Sequence, residues 1–356
     1  MMLEMWVGRA NKKFLMLIAI YSDRPYERPF LNQAAEAAGH QLKYLGVRLT
    51  AHTAGLSAGA PAVAIFANDD ASAPVLEALA SQGTKLLALR SAGFNHVDVA
   101  HADALGLTVL RVPTYSPHSI AEHTIGLMLT LNRKFHRAYA RVREQNFALD
   151  GLMGFDMHGR TVGVVGTGKI GEIVCKILTG FGCTVVASDP TVNPECTAMG
   201  VRYLPLPELY STADIITLHC PLTPQTRHMI DATSLALTKR GVMLINTSRG
   251  AVVDTAALIG ALKRGHMGSV GLDVYEEEAD LFFQDLSEQV IQDDVFVRLL
   301  SFPNVLITAH QGFFTHEAVT AIAETTIGNV TDFESGLVKA PNRVTQRLIV
   351  PAGRAP

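Results

Sequence analysis

Gly166-Thr167-Gly168-Lys169-Ile170-Gly171 directly follows the apolar run Thr161–Val165 and opens a segment with helical spacing. A lone G-x-G-x-x-G is a weak signal, since glycine clusters also serve ordinary turns. The strand before it and the helix after it are what a pyrophosphate-cradling loop requires. In that arrangement Gly166 permits the tight turn, Gly168 lets the backbone approach the pyrophosphate, and Gly171 lets the helix close on the strand. The next predicted strand, Thr184–Ala187, ends at Ser188-Asp189-Pro190, which puts an acidic side chain about twenty residues beyond the loop, where it can accept from ribose hydroxyls. No Arg or Lys follows immediately to neutralise a 2'-phosphate beside Asp189, so the pattern favours NAD over NADP.

Working outward from this loop, Asp214–His219, Val242–Asn246, Val270–Asp273 and Val305–Thr308 read as further strands, six in all, separated by helical patterns. That series predicts a doubly wound dinucleotide-binding domain. Upstream, Leu15–Tyr21, Ala62–Phe66, Lys85–Leu89 and Leu107–Val112 alternate with helical segments at Phe30–Ala38, Ala73–Ala80 and Val97–Leu105. This is a second parallel α/β pattern. Between the two lies Pro117–Ala140, a long helical stretch linking the domains. Thr315–Phe333 has helical periodicity with no strand after it, so it is expected to pack back on the first domain. The reading is therefore α/β, with two doubly wound parallel-sheet domains, Rossmann-like and flavodoxin-like, facing each other across a cleft. The substrate domain is discontinuous, 1–115 with 313–356, and the NAD-binding domain is 116–312.

Composition narrows the partners. With 356 residues, 48% apolar and 18% charged, the chain can bury two ordinary cores. Its formal net charge of -3, without a long basic or acidic block, gives no electrostatic footprint for nucleic acid or an anionic membrane. A small-molecule substrate is the default partner. Cys175, Cys183, Cys196 and Cys220 lack the close pairing of a zinc or redox site and are too sparse for a disulfide framework, so reduced cytoplasmic thiols and no metal are expected. Lys12-Lys13 before the apolar run Phe14–Tyr21 superficially resembles a signal sequence, but the run is short and stops at Ser22-Asp23-Arg24-Pro25. It is read as the first strand, with residues 1–14 a poorly ordered extension. No segment is long and apolar enough to span a bilayer.

Three more motifs sit at predicted strand ends, where open α/β sheets place their ligands. Asn246-Thr247-Ser248-Arg249-Gly250 presents a guanidinium, which can bind a carboxylate through paired hydrogen bonds, although a surface arginine capping a helix is the alternative. Gly271-Leu272-Asp273-Val274-Tyr275-Glu276-Glu277-Glu278 ends in three glutamates, a pattern usual for a solvated loop. Ala309-His310-Gln311-Gly312-Phe313-Phe314 offers a histidine, a proton donor suited to neutral pH, whose protonated form a neighbouring carboxylate would favour. A satisfied structural histidine is the competing reading.

Taken in this order, GTGKIG, Asp189, NTSRG, GLDVYEEE and the His310 motif resemble the D-isomer-specific 2-hydroxyacid dehydrogenases, and within them the lactate-forming branch, over nearly the whole chain from about Met16. The resemblance implies NADH-dependent reduction of pyruvate to D-lactate. Arg249 would bind the substrate carboxylate, His310 would act as acid/base, and Glu278, rather than Glu276 or Glu277, would hydrogen-bond the histidine. The cofactor shell would include Lys169 and Ile170 at the phosphate turn, Asp189 at the ribose, Cys220 and Pro221 near the adenine side, Thr226, Thr247 and Ser248, and Asp273 near the nicotinamide. Arg90-Ser91-Ala92-Gly93-Phe94-Asn95 resembles the loop whose backbone N–H groups, at Ala92 and Gly93, hold the substrate carboxylate, with Tyr115 as a further donor. Phe313, its neighbour Phe314 and the stretch 279–298 resemble the lactate branch, though aromatic pairs are usually core. A homodimer formed through Pro117–Ala140 is also implied. A dehydrogenase for longer 2-keto acids, hydroxypyruvate or glyoxylate remains open, as does an NAD-sensing corepressor on the same fold.

Overall fold

The computed structural model describes residues 16–278 and 281–346. The extension expected over 1–14 lies outside the described residues, as do Ala279 and Asp280 of the 279–298 stretch. The chain begins with β1 (Leu17–Ile20), α1 (Arg28–Ala38), β2 (Gln41–Tyr44), β3 (Ala62–Ile65), α2 (Ala73–Ser81), β4 (Leu86–Leu89), α3 (Val99–Ala104) and β5 (Thr108–Leu110). These strands pair in parallel in the order β2-β1-β3-β4-β5. β3 and β4, AVAI and LLAL, are buried at every position, as strands covered on both faces must be. β2, QLKY, is an edge strand whose exposed positions alternate with half-buried ones, and no apolar run announces it.

The single helix expected over Pro117–Ala140 is two. α4 (Pro117–Arg133) starts with Ser116 Oγ accepting from Ser119 N and with Pro117 in its first turn. It ends because Lys134 takes a left-handed conformation, φ 52°, after which α5 (Phe135–Arg143) sets off separately.

There follow β6 (Thr161–Val165), α6 (Lys169–Gly180), β7 (Thr184–Ser188), α7 (Pro194–Ala198), β8 (Arg202–Tyr203), α8 (Leu206–Thr212), β9 (Ile215–Leu218), α9 (Ala232–Leu237), β10 (Val242–Asn246), α10 (Thr255–Lys263), β11 (Met267–Leu272), α11 (Asp294–Leu300) and β12 (Val305–Ile307). Their sheet is parallel and has seven strands, not six, in the order β12-β11-β10-β9-β6-β7-β8. The missed strand, β8, pairs with β7 over only two residues, too few to show a pattern in sequence. Strand order reverses between β6 and β9, which opens a crevice beyond their carboxyl ends, where doubly wound sheets bind nucleotides.

α12 (His316–Glu334) buries Ala323, Ile327 and Val330 in one apolar cluster with Ile18, Ile20, Leu31 and Leu86, so it lies on the first sheet beside α1. The chain accordingly divides into two units, one drawn from Met1–Tyr115 with Thr315–Pro356 and the other from Ser116–Phe314. Phe313 and Phe314 fall in the second unit. Among the described residues all four cysteines are free, no cluster of His, Cys, Asp or Glu could hold a metal ion, and no helix is long and apolar enough to cross a membrane.

Candidate active site

The glycine loop occupies the switch point. Gly166 has φ 94°, and a Cβ there would lie 2.7 Å from the His219 carbonyl carbon and 2.8 Å from Cys220 N, so the turn admits only glycine. A Cβ on Gly171 would overlap the Gly166 carbonyl, whereas one on Gly168 would meet nothing within 4 Å. The first and third glycines thus close the strand–helix packing, and the second leaves its backbone open at the N-terminus of the twelve-residue α6. Lys169 and Ile170 form that first turn. Asp189 follows β7, where its Oδ2 accepts from Thr167 N at 2.7 Å and its Oδ1 from Thr191 N at 2.8 Å. These bonds hold the carboxylate against the glycine loop and leave lone pairs for further donors. An open glycine backbone at a helix N-terminus, with an acceptor-only side chain beside it, fits a dinucleotide: the helix end suits the pyrophosphate and the carboxylate suits the ribose.

The remaining cofactor-shell residues line the ends of β9 and β10. Cys220 is buried, which pushes its thiol up to about 11 and leaves it neutral. Thr226 closes a turn by donating from Oγ1 to the Pro221 carbonyl at 2.6 Å. Thr247 Oγ1 lies 2.9 Å from Thr124 Oγ1, and Ser248 Oγ donates to Asn246 Oδ1 at 2.9 Å. Asn246 Nδ2 reaches on to the Arg249 carbonyl at 2.9 Å, so the asparagine ending β10 shapes the whole loop. Gly250 fits because a Cβ there would overlap the Tyr275 backbone. The Arg249 loop is therefore seated directly on the loop that follows β11. Arg249 itself is half-buried, with Nη1 donating to the Ser248 carbonyl at 2.7 Å.

The glutamate run does not behave as a uniform solvated loop. Glu278 Oε1 lies 2.8 Å from His310 Nδ1, while its Oε2 accepts from Tyr275 N at 3.1 Å. Glu276 turns the other way: its Oε1 is 2.6 Å from His228 Nε2 and its Oε2 accepts from Thr255 N at 3.0 Å. Burial raises the Glu276 pKa, but the hydrogen bonds from Thr255 and His228 outweigh it and hold the carboxyl below its usual range. Of the three, only Glu277 is exposed.

His310 follows β12 with φ 58°, after Ala309 with φ 48°, two left-handed L-residues in succession. The turn is tied down by Asp273. The Asp273 carbonyl accepts from His310 N at 2.5 Å, and its carboxylate accepts from Gln311 N and Gly312 N, both at 2.9 Å, and from Thr308 Oγ1 at 2.6 Å. Asp273 is 2% exposed; burial raises its pKa, yet hydrogen bonds from His123 and Thr308, with the charges of His123 and His310, bring it below the ordinary value. Its carboxylate is thus directed at its own unit's 308–312 turn. His123 and Thr308 belong to none of the sequence motifs and were missed there. A histidine inside a helix and a threonine ending a strand carry no signal until the fold brings them to Asp273. Paired at Nδ1 with a carboxylate, the His310 ring leaves Nε2 as the atom that can exchange a proton.

The first unit carries the predicted loop at 90–95 and Tyr115. Arg90, 1% exposed, is structural: its guanidinium donates to the carbonyls of Tyr21 at 2.9 Å and Ser22 at 3.0 Å, and its Nε lies 3.2 Å from Glu27 Oε2. That clamp fixes the start of the 90–95 loop. The Gly93 carbonyl accepts from Ser91 Oγ at 2.7 Å and the Ala92 carbonyl from Arg111 Nη1 at 3.1 Å, while neither N–H donates to another described residue. Tyr115 ends this unit, half-buried. Phe313, in the second unit, stands edge-on to Phe314 at 6.1 Å.

Residues 125–312 match the family described as D-isomer specific 2-hydroxyacid dehydrogenase, NAD binding domain. Among curated proteins, a D-lactate dehydrogenase of Escherichia coli is 51% identical over 321 residues, 90% of this chain and 98% of that protein. Among solved structures, that of the pyruvate reductase of Chlamydomonas reinhardtii superposes with a TM-score of 0.87 at 44% identity, covering 92% of this chain and 98% of that one. A D-lactate dehydrogenase from Aquifex aeolicus complexed with NAD and lactic acid gives a TM-score of 0.83 at 32% identity, covering 94% and 100%.

Proposed function

The chain belongs to the D-isomer-specific 2-hydroxyacid dehydrogenase family, whose members are NAD-dependent enzymes, and on that premise we propose that it interconverts pyruvate and D-lactate. The observation that carries this reading is the His310–Glu278 pair at 2.8 Å beside the Arg249 loop, all at the carboxyl ends of β10, β11 and β12. Gly166, Gly168, Gly171 and Asp189 would hold NADH, which would supply the hydride. Arg249 pairs with the substrate carboxylate and so fixes which face of the carbonyl is presented. The Ala92 and Gly93 N–H groups and Tyr115 serve the same carboxylate from the first unit, which we assign as the substrate domain. His310 Nε2 gives its proton to the carbonyl oxygen as negative charge develops there, and Glu278, bound at Nδ1, orients the ring. In lactate oxidation the neutral Nε2 takes the hydroxyl proton instead. Phe313 sits beside this turn and is assigned to substrate contact.

The same reading places the enzyme in the cytoplasm as a homodimer. α5 buries none of its side chains, and Phe135, Tyr139, Val142, Phe147, Leu149 and Met153 are between 53% and 87% exposed, an apolar surface that a second copy would cover. The test of function is NADH oxidation with pyruvate, 2-ketoisocaproate, phenylpyruvate, hydroxypyruvate and glyoxylate. Pyruvate is expected to give the highest kcat/KM, and D-lactate, not L-lactate, the reverse reaction. A higher kcat/KM for a longer keto acid would move the substrate assignment, and no turnover with any of them would remove the enzyme reading.

A further inference from the structure

We propose that His123, on α4 and outside every motif that suggested the function, is a positioning residue for proton transfer, its Nε2–H anchoring the Asp273 carboxylate and Thr308 hydroxyl that hold the turn carrying His310. The proposal rests on His310 being the proton donor and adds a residue that this reading does not itself require.

His123 Nε2 lies 3.0 Å from Thr308 Oγ1 and 3.2 Å from Asp273 Oδ1. The Thr308 hydroxyl has one proton and gives it to Asp273 Oδ1 at 2.6 Å. An ionised carboxylate only accepts, so both groups facing Nε2 are acceptors and the hydrogen is on His123. Gly312 closes the same spot: a Cβ there would lie 2.9 Å from Asp273 Oδ2 and 3.4 Å from His123 Cδ2. The ring is therefore clamped, donor first, on the two groups that fold the 308–312 turn.

Asp273 is the fixed point of that turn. Thr308, Gln311 and Gly312 all donate to its carboxylate, but they belong to the turn they hold. His123 is the donor that comes from another element, so it ties the turn to α4. The charged groups facing Asp273 are His123 from α4 and His310 from the turn, while Glu278, on the loop after β11, meets His310 on its far side at Nδ1. Remove the His123 donor and a buried carboxylate keeps its desolvation cost with one fewer hydrogen bond, so it takes up a proton at higher pH. A protonated Asp273 has lost acceptor capacity, and two left-handed residues, Ala309 and His310, lose the ties that keep them folded.

The experiment compares pH profiles of pyruvate reduction for the wild type, His123→Phe, His123→Gln and Thr308→Val, with NADH affinity measured by fluorescence. His123→Phe keeps a ring and removes the donor. It should lower kcat/KM by about tenfold, the scale of one hydrogen bond to a charged group, and introduce a loss of rate on the acid side. NADH affinity should change by less than about twofold. His123→Gln keeps an N–H donor at similar reach and should recover most of the rate and remove the acid limb. A His123→Phe profile superimposable on wild type overturns the proposal, as does equal impairment of the Phe and Gln variants without an acid limb. If His123→Phe does not fold, His123→Leu carries the test, an acid limb supporting the proposal and a wild-type profile overturning it, with Thr308→Val as the reference for losing the turn's own donor to Asp273. His310→Gln separates the premise: wild-type turnover there would defeat the proton-donor reading whatever the His123 variants do.

Discussion

His310 Nδ1 and Glu278 Oε1 stand 2.8 Å apart although 32 positions separate them in the chain, and both side chains keep roughly a quarter of their surface exposed. The contact fixes the imidazole ring and leaves Nε2 to exchange the proton. Glu278→Gln keeps the side-chain length but replaces the charged acceptor at Nδ1, so kcat/KM for pyruvate reduction and for D-lactate oxidation should both fall by about tenfold, the scale of one hydrogen bond to a charged group, with NADH affinity within about twofold of wild type. Rates unchanged from wild type in both directions would dissolve the pairing.

The proper silent control is Glu277→Gln, not Glu276→Gln. Glu276 accepts from Thr255 N and faces His228, so its neutralisation weakens the link between the loop after β11 and the start of α10. Its folded-state pKa is depressed, so its contribution to stability is present above the ordinary carboxylate range and is lost as pH falls through the folded value. Glu276→Gln should lower unfolding stability at neutral pH by about 1 kcal/mol and flatten the acid side of the stability curve. Denaturant titrations at neutral and acid pH check this. Equal losses at both would mean that a packing change, not the charge, is responsible.

Arg249→Lys keeps the charge and loses the fork that matches a carboxylate. A fall in kcat/KM for pyruvate on the order of 100-fold is expected, with NADH affinity within about twofold of wild type. Parallel losses in both quantities would mark Arg249 as a support for its loop rather than a substrate ligand.

Asp189 should set the cofactor preference. Wild type is expected to favour NADH over NADPH by a factor of about ten or more, since a carboxylate repels a 2'-phosphate. Asp189→Asn can still accept from Thr167 N through its amide oxygen, so it should narrow that ratio mainly by weakening NADH. Equal use of both cofactors by the wild type would contradict the assignment.

Gly250 is the point where the Arg249 loop meets the Tyr275 backbone without room for a Cβ. Gly250→Ala should cost about 1–3 kcal/mol of stability or displace Arg249, as overpacked sites do. Melting temperature and kcat/KM together test it, and a variant that matches wild type in both would show that the loop can move away freely.

The parallel α/β class, the glycine loop and the carboxyl-end positions of Arg249 and His310 were legible in the sequence because strand–loop–helix order is local and each motif carries its own backbone requirement. Gly171 is a glycine for a reason a short window contains, the Gly166 carbonyl five residues before it, whereas Gly166 is also closed in by the distant His219–Cys220 backbone. Elements with little local signal were not legible: β2 and β8 lie at sheet edges with few buried side chains, and the break at Lys134 rests on one left-handed residue. The family resemblance singled out Glu278, but only the tertiary structure separated the other two, setting Glu276 on His228 and leaving Glu277 to solvent. Identical side chains in one run face His228, solvent and His310 according to how the loop after β11 is pinned by Tyr275, and that pinning depends on residues far along the chain. The same holds for His123 and Asp273, whose contact joins α4 to the end of β11 and exists only once both pack into the second unit. Periodicity and spacing report which face of an element is buried; which polar groups then share a few ångströms is decided by long-range packing, because an unpaired buried donor or acceptor costs more than any local preference supplies.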